Sequence, residues 1–222
     1  MMNVYEKCPV FENEKYLLRM VEQGDAADLL SVYSDEKSVP IFNSDNCNGD
    51  NFHYTTMERM KKQIGFWLME YENRVYVRWT IIDKDIQSSI GTIECFHRDS
   101  NTDYFNNCGL LRLDLRSDYE HKEQILEILN LIIQPAFQLF DCRMIATKIV
   151  PTASERREAA VKLGFVVTEE KLIGELLRIY CPFLIRVSSI ASLPVICSML
   201  ISKHARVLNS RAISFRTASS LL

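Results

Sequence analysis

The chain has 222 residues, of which 47% are hydrophobic and 25% are charged, and its formal net charge is -3. This length supports one substantial hydrophobic core and disfavours two full domains. The acidic balance excludes the basic excess that a nucleic-acid-binding surface normally carries, so we expect no nucleic-acid partner.

The cysteine content indicates a reducing compartment. There are seven cysteines, an odd number, and no two are spaced as C-x-x-C. Cys95, Cys108 and Cys142 lie in apolar stretches, which favours buried, reduced thiols over disulfides. The first residues mix charges early and contain no apolar signal segment, so we expect a cytoplasmic protein. Four histidines without metal-ligand spacing predict no metal site.

The first third of the chain predicts a strand and two helices. Residues 16–21 are a short apolar run typical of a strand, and Gly24 and Asp25 supply a turn and a cap for a helix that reaches about Tyr33. A polar stretch, FNSDNCNGDN, separates it from a second helix over about residues 56–71, where apolar residues recur at helical spacing.

The middle of the chain predicts strands and then a long helix. The β-branched runs RVYVRWTIID and SSIGTIECFHR form an antiparallel hairpin, and the alternation in CGLLRLDL predicts a third strand. The helix that follows has a broad apolar face and only a narrow polar stripe, which is typical of a helix that covers a sheet. Pro135 inside it predicts a kink or an early end.

The next two elements predict a change in strand direction. RMIATKIVP is a strand, and ASERREAAVKLGF is a helix ended by Gly164. A strand, a helix and a second strand over residues 108–149 make a parallel crossover unit. The fold class is therefore α/β (α+β), with a mixed, mostly antiparallel sheet, one central parallel step and flanking helices.

The last part of the chain differs in composition, so we assign residues 1–180 to the folded domain and residues 181–222 to an atypical basic tail rich in serine and aliphatic residues. From residue 187 onward the tail has four basic residues and no acidic one. ELLRIYCPFLIRV could supply a final strand. The uncharged run 187–202 has 16 residues, fewer than the approximately 20 that span a bilayer, which disfavours membrane insertion. A third interpretation is that the sequence after about Gly174 does not resemble the rest of the domain at all, as though the reading frame had shifted. We expect low order beyond residue 190.

The order of elements resembles the GNAT acyltransferases, which transfer acetyl from acetyl-CoA to an amine, and in particular their branch that acetylates protein N-termini. The matching pieces are YLLRMVEQGDAADLLSVY, SSIGTIECF, ILEILNLIIQPAFQLFDCRMIATKIVP and EAAVKLGF. The resemblance covers about residues 15–174. Its specificity lies in the order of the elements and in the LGF ending.

The resemblance implies a site for acetyl-CoA. In the family the strands that correspond to residues 108–115 and 143–149 splay apart, and the pantetheine arm lies in the opening. The pyrophosphate sits at the start of the next helix, where free N–H groups and the helix dipole favour anions. The implied cofactor-binding residues are Leu113, Leu115, Arg116, Glu120, His121, Lys122, Glu123, Gln124 and Ile125.

The loop at this helix start departs from the family pattern. Relatives have arginine or glutamine, two residues, glycine, one residue, and then glycine or alanine. Here the six positions read EHKEQI, so Glu120 and Glu123 bring negative charge and Ile125 stands where a small residue allows close approach. Ala153 and Ala160 replace an asparagine and a tyrosine that are common in relatives.

Two carboxylates are candidates for catalysis, because a lysine-like amine must lose a proton before it attacks. By the family plan Glu94 is the candidate general base, and the alternative is a solvent-facing strand residue paired with a lysine or arginine. Asp114 could act as a base or orient the substrate, or it could be a capping residue. Arg156 and Arg157 begin a solvated helix in the simplest interpretation, although either could reach the 3′-phosphate of CoA.

The resemblance therefore implies an N-acetyltransferase that uses acetyl-CoA on a primary amine of a small molecule or a peptide. The competing interpretation is a catalytically inactive GNAT-fold module that binds a ligand or partner through the same cleft. A homodimer is a possible assembly. The glycine-free loop is the feature that discriminates between the two interpretations.

Overall fold

The computed structural model describes residues 3–43, 50–170 and 172, together with the backbone of residues 184–188. Four α-helices lie among these residues: α1 (Ala26–Tyr33), α2 (Met57–Glu72), α3 (Lys122–Leu139) and α4 (Ser154–Lys162). The strands are β1 (Phe11–Glu12), β2 (Tyr16–Met20), β3 (Val77–Asp83), β4 (Ser88–Arg98), β5 (Cys108–Leu115), β6 (Met144–Lys148), β7 (Val166–Thr168) and β8 (Leu184–Ser188).

The strands form one mixed sheet in the order β1-β2-β3-β4-β5-β6-β8-β7. Every neighbouring pair is antiparallel except β5 and β6, which are parallel and are connected through α3. The predicted hairpin of β3 and β4 and the central parallel step are both confirmed.

The two faces of the sheet differ in chemistry. On one face the alternate residues of β3, β4 and β5 are apolar and pack with α3 and α4 in the main core. On the other face α1 and α2 form a smaller apolar cluster around Tyr33 and Trp67, above strand residues that are largely polar and buried. A strand alternates its side chains between faces, so the same three strands supply both environments.

Two helix ends follow the local sequence. Thr56 caps α2 by accepting a hydrogen bond from the Arg59 N–H group at 3.2 Å. After α4, Gly164 has φ 86°, and the N–H groups of Gly164 and Phe165 each donate a 3.0 Å bond to the carbonyls of Val161 and Ala160. This left-handed helix stop favours glycine, so the predicted cap is confirmed.

The long central helix has the predicted amphipathic pattern but a different end. Its buried residues, Ile125 and Ile132 among them, form the stripe that covers the sheet, and Asn130 and Gln134 are exposed on the opposite side. The helix continues past Pro135 to Leu139, so the early end that the proline suggested does not occur. Packing of the apolar face stabilises the turn that lacks one N–H bond.

The buried thiols behave as expected for reduced cysteines. Cys95, Cys108 and Cys142 are free and buried. Burial raises the pKa of Cys108 to about 12 and that of Cys142 to about 11. These thiols are therefore protonated at neutral pH and belong to the core.

One segment of the predicted tail is a strand. β8 pairs with β6 and β7 in antiparallel fashion, which agrees with the interpretation of ELLRIYCPFLIRV as a final strand. The expectation of low order beyond residue 190 concerns residues outside those that the structure describes. Within the described part of the chain, none of the helices is long and apolar enough to cross a bilayer.

A test of the sheet geometry uses Gly91, which faces Leu115 across β4 and β5. A Cβ at Gly91 would lie 2.3 Å from the backbone oxygen of Asp114, so alanine must push the two strands apart. We expect Gly91→Ala to lower the free energy of unfolding by about 1–3 kcal/mol in urea denaturation. Gly24→Ala is the matched control, since nothing lies within 4 Å of a Cβ there. Equal losses in both variants would contradict this account of β4 and β5.

Candidate active site

A row of charged side chains crosses the polar face of the sheet. Arg78 on β3 lies opposite Glu94 on β4, which in turn lies opposite Arg112 on β5. Directly opposed residues on neighbouring strands have their Cβ atoms about 4.5–5.5 Å apart, so the strand register alone brings these charges together. This order places one carboxylate between two guanidinium groups.

Glu94 is buried, with 1% of its surface exposed, and each of its oxygens accepts a hydrogen bond from one arginine, Arg78 or Arg112. Burial opposes ionisation, but the charges of Arg78 and Arg112 outweigh it, and the pKa of Glu94 is lowered. The alternative interpretation of Glu94 is therefore wrong in placing it in solvent. It is correct in pairing Glu94 with an arginine. An ionised carboxylate with a lowered pKa is a poor proton acceptor at neutral pH.

Asp114 lies one step along the same face and is equally buried. Its carboxylate accepts hydrogen bonds from the Tyr33 hydroxyl at 2.9 Å, the Asn43 N–H group at 3.1 Å and Arg78 Nη1 at 3.3 Å. Burial and the charge of Asp114 raise the pKa of Tyr33, so its hydroxyl stays protonated and donates. Asp114 thus links α1, the segment that follows α1, and β3. It is not the capping residue considered as an alternative.

A cavity of about 840 Å³ opens between α2 and this polar face. Its floor includes Glu94 and Arg112, and its walls are rich in aromatic residues. The cavity adjoins β5 through Arg112, whose guanidinium carbon lies 5.1 Å from the ring centre of Phe96. The further lining residues that bear on its chemistry are Asp50, Tyr54, Arg59, Trp67, Glu70 and Tyr76.

The strands β5 and β6 part along their length. Their pairing covers only three residue pairs and ends at Leu110 and Ala146, whereas β5 continues to Leu115 and β6 to Lys148. The splayed opening that the resemblance implies is therefore present, and the backbone of Leu113 and Leu115 lies beyond the last pair with β6.

Side chains of the chain itself cross this opening. The Asn43 amide donates to Thr147 Oγ1 on β6 at 2.6 Å and accepts from Arg156 Nη1 at 2.7 Å. The same Nη1 atom donates to the backbone oxygen of Leu113 at 2.7 Å. Arg156 and Asn43 are both 3% exposed, so the expectation of a solvated helix start is wrong for Arg156, while Arg157 is exposed.

The acids of the loop before α3 already have partners. Glu120 accepts from two nitrogens of Arg156, with 2.7 Å at Nε. The Lys122 N–H group, which is at the head of α3, donates to the Glu155 carboxylate at 2.7 Å. A hydrogen bond from its own backbone N–H group lowers the pKa of Glu123, and the charge of Lys122 adds to this effect against the opposing effect of burial.

The other residues predicted for this loop differ in their burial and in their contacts. Arg116 forms an ion pair with Asp118 at 2.7 Å, and exposed His121 is the residue that precedes α3. Gln124 has a buried Oε1 atom without a hydrogen-bond partner among the described residues, and Ile125 is part of the core. Leu113 and Leu115 are also core residues, so their side chains pack inside the protein and only their backbone could face a ligand.

Acetyl-CoA can be compared with this arrangement residue by residue. The pairing of β5 with β6 ends at Leu110 and Ala146, but beyond it Arg156 bonds the Leu113 oxygen and Glu155 bonds the first amide of α3. Two carboxylates stand where phosphates would bind. In the arrangement observed, carboxylates of the chain itself, those of Glu120 and Glu155, occupy the donors at the phosphate end.

Sequence reasoning missed Asn43, Tyr33, Arg78 and Arg112. The two arginines could have been found, because the register of the predicted hairpin and third strand places them beside Glu94. Asn43 carried no such signal, since it is near the start of a polar stretch and its partners are 71 to 113 residues away in the chain.

Comparisons with known proteins agree with this topology. Residues 15–166 match the acetyltransferase (GNAT) domain, which is more than half of the chain. A ribosomal-protein-S5-alanine acetyltransferase from Vibrio fischeri superposes with a TM-score of 0.61 at 20% identity, over 84% of this chain and 100% of that one. No curated protein matches the sequence.

Two further solved structures contain CoA. RimJ of Mycobacterium smegmatis, in complex with CoA-disulfide, has a TM-score of 0.61 at 12% identity, over 86% of this chain and 90% of that one. Spermidine N-acetyltransferase of Vibrio cholerae, in complex with CoA and spermine, has a TM-score of 0.57 at 12% identity, over 79% and 96% of the two chains. At these identities the likeness is one of fold.

The burial of Glu94 makes a prediction about stability. Glu94→Gln leaves two arginines without their shared counter-charge, so we expect the free energy of unfolding to fall by about 3–5 kcal/mol. Guanidinium or urea denaturation measures it. A control is Glu127→Gln, because Glu127 is more exposed and its partner Lys15 is a surface residue, where a loss of about 1 kcal/mol or less is expected. A fully stable Glu94→Gln protein would contradict the structural role.

A second prediction concerns pH. Burial opposes ionisation of Asp35, but bonds from Ser117, Ser38 and the Lys37 N–H group lower its pKa. A carboxylate with a lowered folded pKa stabilises the fold above its unfolded pKa of about 4, and that contribution is lost as pH falls further. We expect thermal stability to drop more steeply below pH 4 in the wild type than in Asp35→Asn. Parallel curves for the two proteins would contradict it.

Proposed function

Because the chain belongs to the GNAT acetyltransferase family, we propose that it transfers an acetyl group from acetyl-CoA to a primary amine. The observation that supports this most directly is the parting of β5 and β6 after Leu110 and Ala146, next to a cavity that reaches β5 at Arg112. The opening would receive the acetyl donor, and the cavity would receive the acceptor. Acetyl-CoA supplies an activated thioester, and the chain supplies binding, orientation and control of protons.

The acceptor amine must be neutral when it attacks. Arg112 lies at the floor of the cavity and is partly accessible, with 13% of its side chain exposed. A nearby cation disfavours the ammonium form and lowers the pKa of an amine. We propose that Arg112 favours the neutral acceptor in this way, and that the released proton passes to water at the mouth of the cavity.

Glu94 and Asp114 then act as positioning residues in this proposal. Glu94 accepts from both arginines and keeps a lowered pKa, so it holds Arg112 at the floor. Asp114 aligns Tyr33 and Arg78 beneath the cavity. A direct role of Glu94 as general base would require one arginine to leave first, at the cost of an uncompensated buried charge.

The cavity lining bears on the acceptor. Two of its acids, Asp50 and Glu94, each bond an arginine, which disfavours a polyamine because several ammonium groups need free carboxylates. Aromatic walls suit an apolar body next to the amine. We therefore propose an acceptor with one amine on a small molecule or at the start of a peptide. The cytoplasmic location and the homodimer stay predictions from the sequence.

One observation favours the second candidate, a catalytically inactive module. The amide at the head of α3 and the oxygen of Leu113 are already bonded by the side chains of Glu155 and Arg156. A chain that keeps these contacts would bind no CoA and would present the cavity between α2 and the sheet to a ligand.

Calorimetric titration with acetyl-CoA separates the two candidates. We expect micromolar binding and acetyl transfer, detected as free CoA thiol, with an amine panel of single amines and peptides. Lys122→Glu adds negative charge at the head of α3 and should weaken binding about tenfold, which corresponds to about 1.4 kcal/mol. Lys84→Glu, at the turn between β3 and β4, makes the same charge change and should leave affinity unaltered.

The absence of acetyl-CoA binding in the wild type would favour the inactive module. Equal affinity in the wild type and Lys122→Glu would show that the phosphates do not bind at the head of α3.

A further inference from the structure

Arg156 spans the opening between β5 and β6 and is the best-connected side chain there. It donates to the Leu113 oxygen on β5, to Asn43 Oδ1, and through two other nitrogens to Glu120. Asn43 in turn reaches Thr147 on β6. One guanidinium therefore ties together both parted strands and the loop before α3.

The ion pair of Arg156 and Glu120 is almost fully buried beside the opening. The side chain of Arg156 is 3% exposed and that of Glu120 is 9% exposed. Burying a cation costs several kcal/mol unless a partner compensates, and the compensation here comes from a single carboxylate. Any anion that replaced Glu120 would have to meet the same two nitrogens.

A guanidinium group binds carboxylates and phosphates with the same fork of N–H donors. The Glu120 carboxylate, held by Arg156 Nε and Nη2, therefore has the geometry of a phosphate contact. Glu155 repeats this relation at the Lys122 N–H group, a donor that would also suit an anion. Both acids come from segments that border the opening.

We propose that Arg156 is the phosphate-binding residue of the cleft and that Glu120 is a built-in competitor that occupies it. A ligand that carries a diphosphate binds by displacing the Glu120 carboxylate from the guanidinium, and Glu120, whose side chain is already 9% exposed, then turns to solvent. The inference rests on the proposed use of acetyl-CoA, and it explains how a loop with acids and no glycine could still serve a phosphate ligand.

The same contacts set a cost on ligand entry. The Leu113 oxygen gives up its hydrogen bond from Arg156 when an arm lies along β5. Affinity in the wild type is therefore reduced by competition with the chain's own side chains. Removing the charge of Glu120 should raise affinity, which is the opposite of what loss of a ligand-binding residue does.

The test compares the wild type, Glu120→Gln, and the double variant Glu120→Gln with Arg156→Gln. Inorganic pyrophosphate and CoA are the probes, and binding is measured by calorimetry and by the shift in Tm. We expect Glu120→Gln to bind both probes about tenfold more tightly than the wild type or better, because a charged donor is released. The double variant has no unpaired guanidinium charge, so it should not bind the probes more tightly than the wild type. Glu127→Gln on α3 serves as the control for a general change in charge.

Equal affinities in the wild type, Glu120→Gln and the double variant would overturn the proposal. If Glu120→Gln does not fold, Glu120→Asp is used instead, because it keeps the charge but shortens the side chain. Glu120→Asp should bind pyrophosphate more tightly than the wild type. An unchanged affinity would also contradict the proposal. Tighter pyrophosphate binding without acetyl transfer by any protein would leave the Arg156 site standing and refute the proposed enzyme. If the wild type transfers acetyl groups but Glu120→Gln binds the probes no more tightly than the wild type, the proposed enzyme stands and the Arg156 proposal is refuted.

Discussion

Arg78 is a buried cation between two carboxylates, and the seating of α1 and α2 on the sheet depends on it. Its guanidinium donates to Glu94 and Asp114, and its central carbon lies 4.2 Å from the ring centre of Trp67 on α2. Tyr33 of α1 accepts another of its bonds at 3.0 Å. Burying such a charge costs several kcal/mol without these partners. The polar face is therefore stabilised as one unit, and the cavity floor is held by residues from three strands.

The parting of β5 and β6 creates a second constraint. Backbone groups of β5 beyond Leu110 lose β6 as a partner, and buried peptide groups must find another. Arg156 satisfies the Leu113 oxygen, and Asn43 bridges toward β6 through Thr147. A ligand arm in the opening would satisfy the same groups. If the opening receives the acetyl donor as proposed, side chains of the chain compete with that ligand there, most strongly at Arg156 and the head of α3.

The elements could be predicted because each follows from a local pattern. The β-branched runs predicted β3 and β4, alternation predicted β5, helical spacing predicted α2 and α3, and Gly164 marked the end of α4. The roles of Glu94 and Asp114 could be predicted only in part. Alternation shows that both lie on the same face, but it does not show that α1 and α2 cover that face and bury both carboxylates. The early end predicted at Pro135 does not occur for a related reason, since the apolar packing of α3 outweighs one missing hydrogen bond.

The sequence by itself determined the order of the elements, the parallel step and the apolar stripe of α3, because these depend on the period of hydrophobic residues within short segments. Only the tertiary structure decided what fills the cleft. Arg156 meets Glu120 and Asn43 across 36 and 113 residues of chain. Contacts at such separations depend on how α4 and the loop after α1 pack on the sheet, and no local pattern encodes that packing. Glu120, whose charge in the sequence argued against a phosphate ligand, is in the folded protein bonded to Arg156, the arginine proposed to bind one.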